Sequence, residues 1–324
     1  MQAHSIIDQS ICRISPIMLE ASDGAPLSAT LFEPGRGAHG TVIVHGATAT
    51  PAGYYRRFAE FLAGEGLRVL TYDYRGVGAS RPPTLRGYRA TLSDWAHQDA
   101  TAAHRYVRER FGREPFAIVG HSFGGQLLGL VDDAREASGI VLVGAQLGYY
   151  GDWPLPSRLA LGLVWYALVP AFTSTLGYLP GKLGIGEDLP AGVAEEWGRW
   201  CRHPDYLISE HPDAIGRFAA IFGPMLFYSF TDDELAPRAA VNHLLARLSG
   251  ARVDHRRVHP SQHGGASIGH FGFFRPRFTS TLWRDAASFL KDALDGREPA
   301  GARGVGPLKL TAEDFTADLD YGRS

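Results

Sequence analysis

Short continuous apolar runs alternate with stretches of helical spacing along most of the chain. Residues 41–46, 69–74, 116–120, 140–144 and 224–230 are runs of the kind that a strand buried on both faces of a parallel sheet requires. Between them, 54–64, 92–111 and 237–248 carry helical periodicity, and a strand over 253–258 precedes a final helix from about 275 to 294. In the second helix Leu92, Trp95, Ala96, Ala102, Ala103, Tyr106 and Val107 form the apolar stripe, with Asp99 its one polar member. Such alternation predicts a parallel sheet with right-handed crossovers. Ahead of it, 16–20 and 27–32 flank Asp23-Gly24 and predict an antiparallel hairpin.

The rhythm breaks between 149 and 223. This segment has no β-branched runs; it carries Trp153, Trp165, Tyr166, Trp197, Trp200 and Tyr206, punctuated by prolines that include Pro154, Pro156, Pro170, Pro180, Pro190 and Pro204. It predicts a helical lid inserted in a core made of 10–148 and 224–295. Residues 159–172 are the most apolar stretch, but Pro170 interrupts them and they fall short of the ~20 residues that span a bilayer, so a buried or lid helix is expected and no membrane insertion. Residues up to about Gln9 read as a loose terminus. The stretch 296–324 reads as an irregular tail with a short helix near 312–315.

Composition narrows the partners. With 324 residues, 45% hydrophobic content and 20% charge the chain is globular, and a net charge of -2 argues against nucleic acid or an anionic membrane and for a small-molecule partner. Cys12 and Cys201 stand far apart in no C-x-x-C arrangement, which points to reduced thiols in a cytoplasmic protein. No basic stretch followed by an apolar one marks the N-terminus as a secretory signal. Oligomeric state is left open.

The candidate chemistry starts where the run from Phe116 stops at Gly120-His121-Ser122-Phe123-Gly124 and turns into a helix-like pattern. A sharp strand-to-helix turn pushes the Ser122 hydroxyl out of the sheet, and glycines are needed two residues either side because a Cβ there would meet neighbouring backbone. A serine needs a base and a group to orient that base. Asp232-Asp233-Glu234 follows the strand over 224–230, at the edge where α/β folds present functional groups; Asp233 is favoured by its spacing to Pro237, with Asp232 the rival and Asp232 or Glu234 the cap of the next helix. His270, in a glycine-rich loop after the last strand, is the candidate base, and His263 its competitor. His255, His259 and His263 recur every four residues, but strand-like residues and Pro260 oppose a helix that would align them on a metal, so no metal or cofactor is expected. Backbone N–H groups of Phe123 and Ala47 are the candidate oxyanion donors.

These residues carry a resemblance. His45-Gly46, Asp73-Tyr74-Arg75-Gly76-Val77-Gly78-Ala79-Ser80, Gly120-His121-Ser122-Phe123-Gly124, Asp233 with Pro237 and Gly269-His270 resemble, in order, the motifs of the α/β-hydrolase superfamily, and the longer signatures a branch of predicted bacterial serine hydrolases. The resemblance implies an eight-stranded, mostly parallel sheet with the lid over the strand C-termini. Serine at 122, where relatives acting on haloalkanes and epoxides carry aspartate, argues for acyl chemistry. The expectation is a serine esterase or thioesterase; acyl transfer or lactone chemistry through the same triad is the alternative, and a ligand-binding module on the same fold a third reading.

Overall fold

The computed structural model describes residues 12–184 and 186–300. The loose terminus up to Gln9 and the expected helix at 312–315 lie outside the described residues. Strands β1 (Cys12–Glu20) and β2 (Pro26–Pro34) form the expected hairpin, with Glu20 opposite Pro26, and β2 continues antiparallel onto β4 (Arg68–Tyr72). The other neighbours are parallel: β3 (Thr41–His45), β5 (Phe116–His121), β6 (Ile140–Val143), β9 (Pro224–Phe230) and β10 (Arg252–Val258). The eight strands stand in the order β1-β2-β4-β3-β5-β6-β9-β10.

Period-two alternation splits each central strand between two apolar layers. Ile43, Ile118, Leu142 and Phe227 belong to the layer on one face of the sheet, while Val42, Val44, Ala117, Val119, Val141 and Leu226 belong to the layer on the other. This is why these strands read as unbroken apolar runs. Helices α1 (Arg56–Gly64) and α10 (Arg284–Leu294) pack on the second layer through Phe58, Leu62 and Leu290. The helical run that begins with α2 (Leu92–Asp94) and ends with α3 (Thr101–Phe111) packs on the first, and widens to a π-type turn over Trp95–Ala100. Its buried Asp99 accepts from the Arg75 Nε at 2.7 Å and the Arg75 N–H at 2.8 Å, which ties the loop after β4 to this helix. The helix after Ser122 is short, α4 (Phe123–Gln126), and passes into a 3-10 turn.

Between β6 and β9 the chain leaves the sheet. It forms α5 (Leu155–Leu163), a π-type turn (Val164–Leu168), α6 (Val169–Leu176), a two-stranded ribbon of β7 (Tyr178–Leu179) and β8 (Leu189–Pro190), then α7 (Ala191–Arg202) and α8 (Ala214–Ala219). The ribbon departs from the purely helical expectation. So does the first helix: Leu155–Leu176 is one unbroken run of 22 residues, and by length and composition it could cross a membrane. Pro170 does not end it, because the π-type turn just before leaves carbonyls without α-type partners, and the proline ring enters there. Nor is the helix buried, since only 17% of its most apolar window is. After β9 come α9 (Arg238–Arg247), β10 and α10; of the expected last helix, residues 276–278 form a 3-10 turn and Thr279–Trp283 a π-type turn.

Candidate active site

Four neighbouring strands, β5, β6, β9 and β10, end side by side, and the residues just past their C-terminal ends face one another. Ser122 follows β5, Gly144 follows β6, Asp233 follows β9 and His270 stands beyond β10. Ser122 holds φ 51 and ψ -114, a conformation that L residues rarely adopt. The turn is possible only between glycines: a Cβ on Gly120 would lie 2.6 Å from the Gly124 carbonyl oxygen, and one on Gly124 would lie 2.1 Å from the His45 carbonyl oxygen.

His270 Nδ1 is 2.8 Å from Asp233 Oδ2. The other Asp233 oxygen accepts the N–H groups of Leu235 and Ala236 at 2.9 and 3.1 Å, so the buried carboxylate is held in one orientation. Of the two adjacent acids it is Asp233 that the structure brings against His270. Asp232 instead accepts from the Ser267 hydroxyl and the Ile268 N–H, at 2.9 and 2.8 Å, and fastens the loop that carries His270. Neither Asp232 nor Glu234 caps α9, whose first turn has no side-chain cap; this corrects the capping expectation. The Asp232 carboxylate is spent on the loop that carries His270, and the Glu234 side chain is exposed.

Gly144 was not singled out by sequence reasoning. At φ +57 it lies beneath the histidine–aspartate pair, where a Cβ would stand 3.2 Å from both Asp233 Oδ2 and His270 Nδ1. A glycine directly after a buried strand was the available signal.

Of the two candidate oxyanion donors, Phe123 opens α4, and its N–H lies in the first, unpaired turn of that helix. Ala47 departs from expectation. It lines the cavity, but its N–H donates to the Tyr55 hydroxyl at 2.8 Å. Among the described residues the N–H of Thr48, on the same loop and also lining the cavity, makes no hydrogen bond. Nothing near Ala47 in sequence announces this, because the tyrosine folds back from eight residues downstream.

Ser122 and His270 open into a cavity of about 340 Å³. Leu161, Val164, Trp165 and Leu168, from the inner face of the 155–176 helix, form one wall with Leu179 and Trp197. A short polar row crosses it: the Tyr206 hydroxyl donates to Gln126 Oε1 at 2.9 Å, Gln126 Nε2 to Gln146 Oε1 at 3.2 Å, and Gln146 Nε2 to the Leu235 carbonyl at 3.0 Å. Cys201 also lines the cavity, and burial pushes its thiol well above the ordinary range, which disfavours the thiolate form.

The comparisons with known proteins agree on the architecture. Residues 38–178, which include Ser122 but neither Asp233 nor His270, match the family described as serine aminopeptidase, S33. An esterase of Pyrococcus furiosus, Pf2001, superposes with a TM-score of 0.55 at 17% identity, covering 90% of this chain and 94% of that one. Brefeldin A esterase, a bacterial homologue of human hormone-sensitive lipase, does so with a TM-score of 0.58 at 17% identity, covering 92% and 81%. The chain has the α/β-hydrolase fold. A lysophosphatidylserine lipase of Danio rerio is 33% identical over 85 residues, which is 26% of this chain and only 20% of that protein.

The other histidines weighed from the sequence have other partners. His121 is fully buried and lies between Tyr55 and the His270 carbonyl, at 2.8 Å from each, within the core and away from the 149–223 segment. His255 Nε2 meets the Ser229 hydroxyl at 2.9 Å. His259 accepts the Ser261 N–H and caps the turn Pro260–His263, and His263 sits against Phe278 with ring centroids 6.3 Å apart, away from the Ser122 site. Among the described residues no group of three metal-ligating side chains converges.

Proposed function

We propose that this α/β-hydrolase cleaves the carboxylic ester or thioester of a small, moderately hydrophobic molecule through Ser122, His270 and Asp233. The observation that carries the reading is the His270–Asp233 pair, 2.8 Å apart, its carboxylate fixed by two backbone N–H groups and its imidazole opening into the cavity that Ser122 lines. Asp233 accepts the Nδ1 proton, which leaves Nε2 as the base. That nitrogen takes the Ser122 proton as Oγ bonds to the acyl carbon, and returns it to the departing alcohol or thiol as the tetrahedral intermediate collapses. Water then repeats the sequence on the acyl-enzyme and frees the acid. No step needs a metal or a cofactor.

The oxyanion is met by the Phe123 N–H and by the loop after β3, where Thr48 is the unengaged donor; Ala47 serves only if Tyr55 releases it. Each such donor contributes roughly 3 kcal/mol to the transition state. The segment 149–223 acts as a lid on a core of 10–148 and 224–295, and its apolar wall takes the hydrophobic part of the substrate. Fluorophosphonate labelling is expected to vanish in Ser122→Ala and persist in Cys201→Ala. Hydrolysis of a short p-nitrophenyl ester that survives Ser122→Ala would overturn the assignment.

A further inference from the structure

The helix Leu155–Leu176 has two apolar faces. Its inner face walls the cavity, and its outer face, touched at Tyr166 by Tyr150 and Arg202, is otherwise left open by the described residues. Leu155, Leu159, Leu163 and Tyr166, spaced to lie on one side, are between 57% and 67% exposed. Small or ring residues fill the space around them, with Ala160, Ala167, Pro170 and Ala171 also exposed. The chain's other exposed large apolar side chains include Leu183 and Leu235, and both line the cavity mouth. Of the nine exposed large hydrophobic side chains among the described residues, four thus share this face of the helix and two line the cavity that its other face walls. Scattered exposed leucines are ordinary, but a contiguous patch of this kind marks a surface that meets something apolar.

Charge says what that surface meets. The 22 residues contain no acid and one cation, Arg158. Arg202 lies over the Tyr166 ring at 5.1 Å, Arg86 reaches the Thr175 carbonyl at the other end of the helix at 3.3 Å, and Lys182 stands exposed beside Leu183. Cations therefore border an apolar strip, the arrangement that suits a helix lying in a phospholipid surface with its flanks among the phosphates. The net charge of -2 hides this local grouping. A crossing of the bilayer is excluded by topology: β6 and β9, either side of the excursion, are hydrogen-bonded neighbours, with Ile140 opposite Met225. A single span between them would put one sheet on both sides of the membrane.

We propose that the outer face of Leu155–Leu176 docks on a phospholipid surface and sets the cavity mouth against it. The docking does not depend on the reaction. That the surface delivers a lipid-borne ester to Ser122 follows from the docking together with the hydrolase reading, and rests on that reading.

Flotation of the full chain with phosphatidylcholine vesicles, with and without phosphatidylglycerol, tests it. Wild-type protein and Ser122→Ala are expected to float equally with the mixed vesicles and less with phosphatidylcholine alone. Leu159→Glu/Leu163→Glu touches neither the triad nor the cavity wall, and should cut flotation about tenfold or more, while its melting temperature and its turnover of a soluble short ester stay at the wild-type level. Protein that remains at the bottom of the gradient with both vesicles, or a double variant that floats like wild type, overturns the docking. A wild-type dimer in sedimentation that the double substitution dissolves, without flotation, also overturns it and assigns the strip to a second copy of this chain. Turnover lost in Ser122→Ala without any flotation would defeat the docking and leave the hydrolase reading standing; flotation without turnover would do the reverse.

Discussion

The Tyr55 hydroxyl and His121 Nδ1, 2.8 Å apart in the core, form a hydrogen bond whose direction is fixed by their other partners. Tyr55 Oη already accepts the Ala47 N–H, so its own proton goes to Nδ1. The remaining imidazole proton then sits on Nε2 and is donated to the His270 carbonyl. The residue next to Ser122 thereby joins the loop after β3 to the backbone of His270. Burial, and then the neighbouring His270, hold His121 well below its usual pKa, which keeps it in the neutral form this chain of bonds requires.

Tyr55→Phe removes the hydroxyl from both bonds and leaves a buried nitrogen without its donor. A fold cost of about 1 to 3 kcal/mol is expected, with kcat on a soluble ester reduced and KM nearly unchanged. Thermal melts and steady-state kinetics check it; a kcat at the wild-type level would show that the bond does not position His270.

The two adjacent acids should separate cleanly. Asp233→Asn turns the group that accepts the His270 proton into one that can donate to it, and kcat is expected to drop by roughly three to four orders of magnitude. Asp232→Asn weakens only the ties to Ser267 and Ile268, for a stability loss of about 1 kcal/mol, with most of the activity kept. Equal activity losses in the two variants would contradict the assignment.

Gly124→Ala and Gly144→Ala are expected to fail in different ways. The first drives a Cβ to 2.1 Å from the backbone oxygen of His45, so folded protein should be lost. The second places a methyl 3.2 Å from each member of the histidine–aspartate pair and at an unfavourable φ. Folded protein with lowered kcat is the outcome anticipated, read by circular dichroism and an ester assay.

Acid should destabilise the fold earlier than its carboxylates would. Burial, then nearby His104, holds His45 well below its ordinary value; burial, then Arg257, pushes His255 down to about 4 from 6.5. Their folded-state values lie below the unfolded one, so the stability from keeping these rings neutral is fully present above pH 6.5. Below that it declines as the unfolded chain takes up protons, and it levels off only under the folded-state value. For His255 the decline amounts to roughly 3 kcal/mol. Denaturant melts between about pH 7 and 4.5 should show falling stability, with a shallower slope in His255→Gln; a flat profile over this range would refute it.

Much of the core was legible because its strands are buried on both sides, which forces unbroken apolar runs, and because Ser122 requires glycines at 120 and 124. Asp233 was favoured over Asp232 only by its spacing to Pro237, since what separates them, the His270 imidazole against one and the Ser267 hydroxyl against the other, comes from a distant loop. Ala47 was misread because the partner of its N–H arrives from another turn of the chain. The helix from Leu155 was misjudged for a related reason: proline and apolar composition are local signals, whereas the π-type turn that admits Pro170 and the lack of any covering element are not.

That π-type turn has a further consequence. A π-type turn is a helix with one extra residue wound into it, so deleting one residue from 164–168 would let the run close as an ordinary α-helix with the segments on either side near their present orientation. The ring of Pro170 would then press on a carbonyl that the wider turn leaves clear, and the wall above Ser122 would kink. The extra residue is thus what lets a proline sit inside a straight wall.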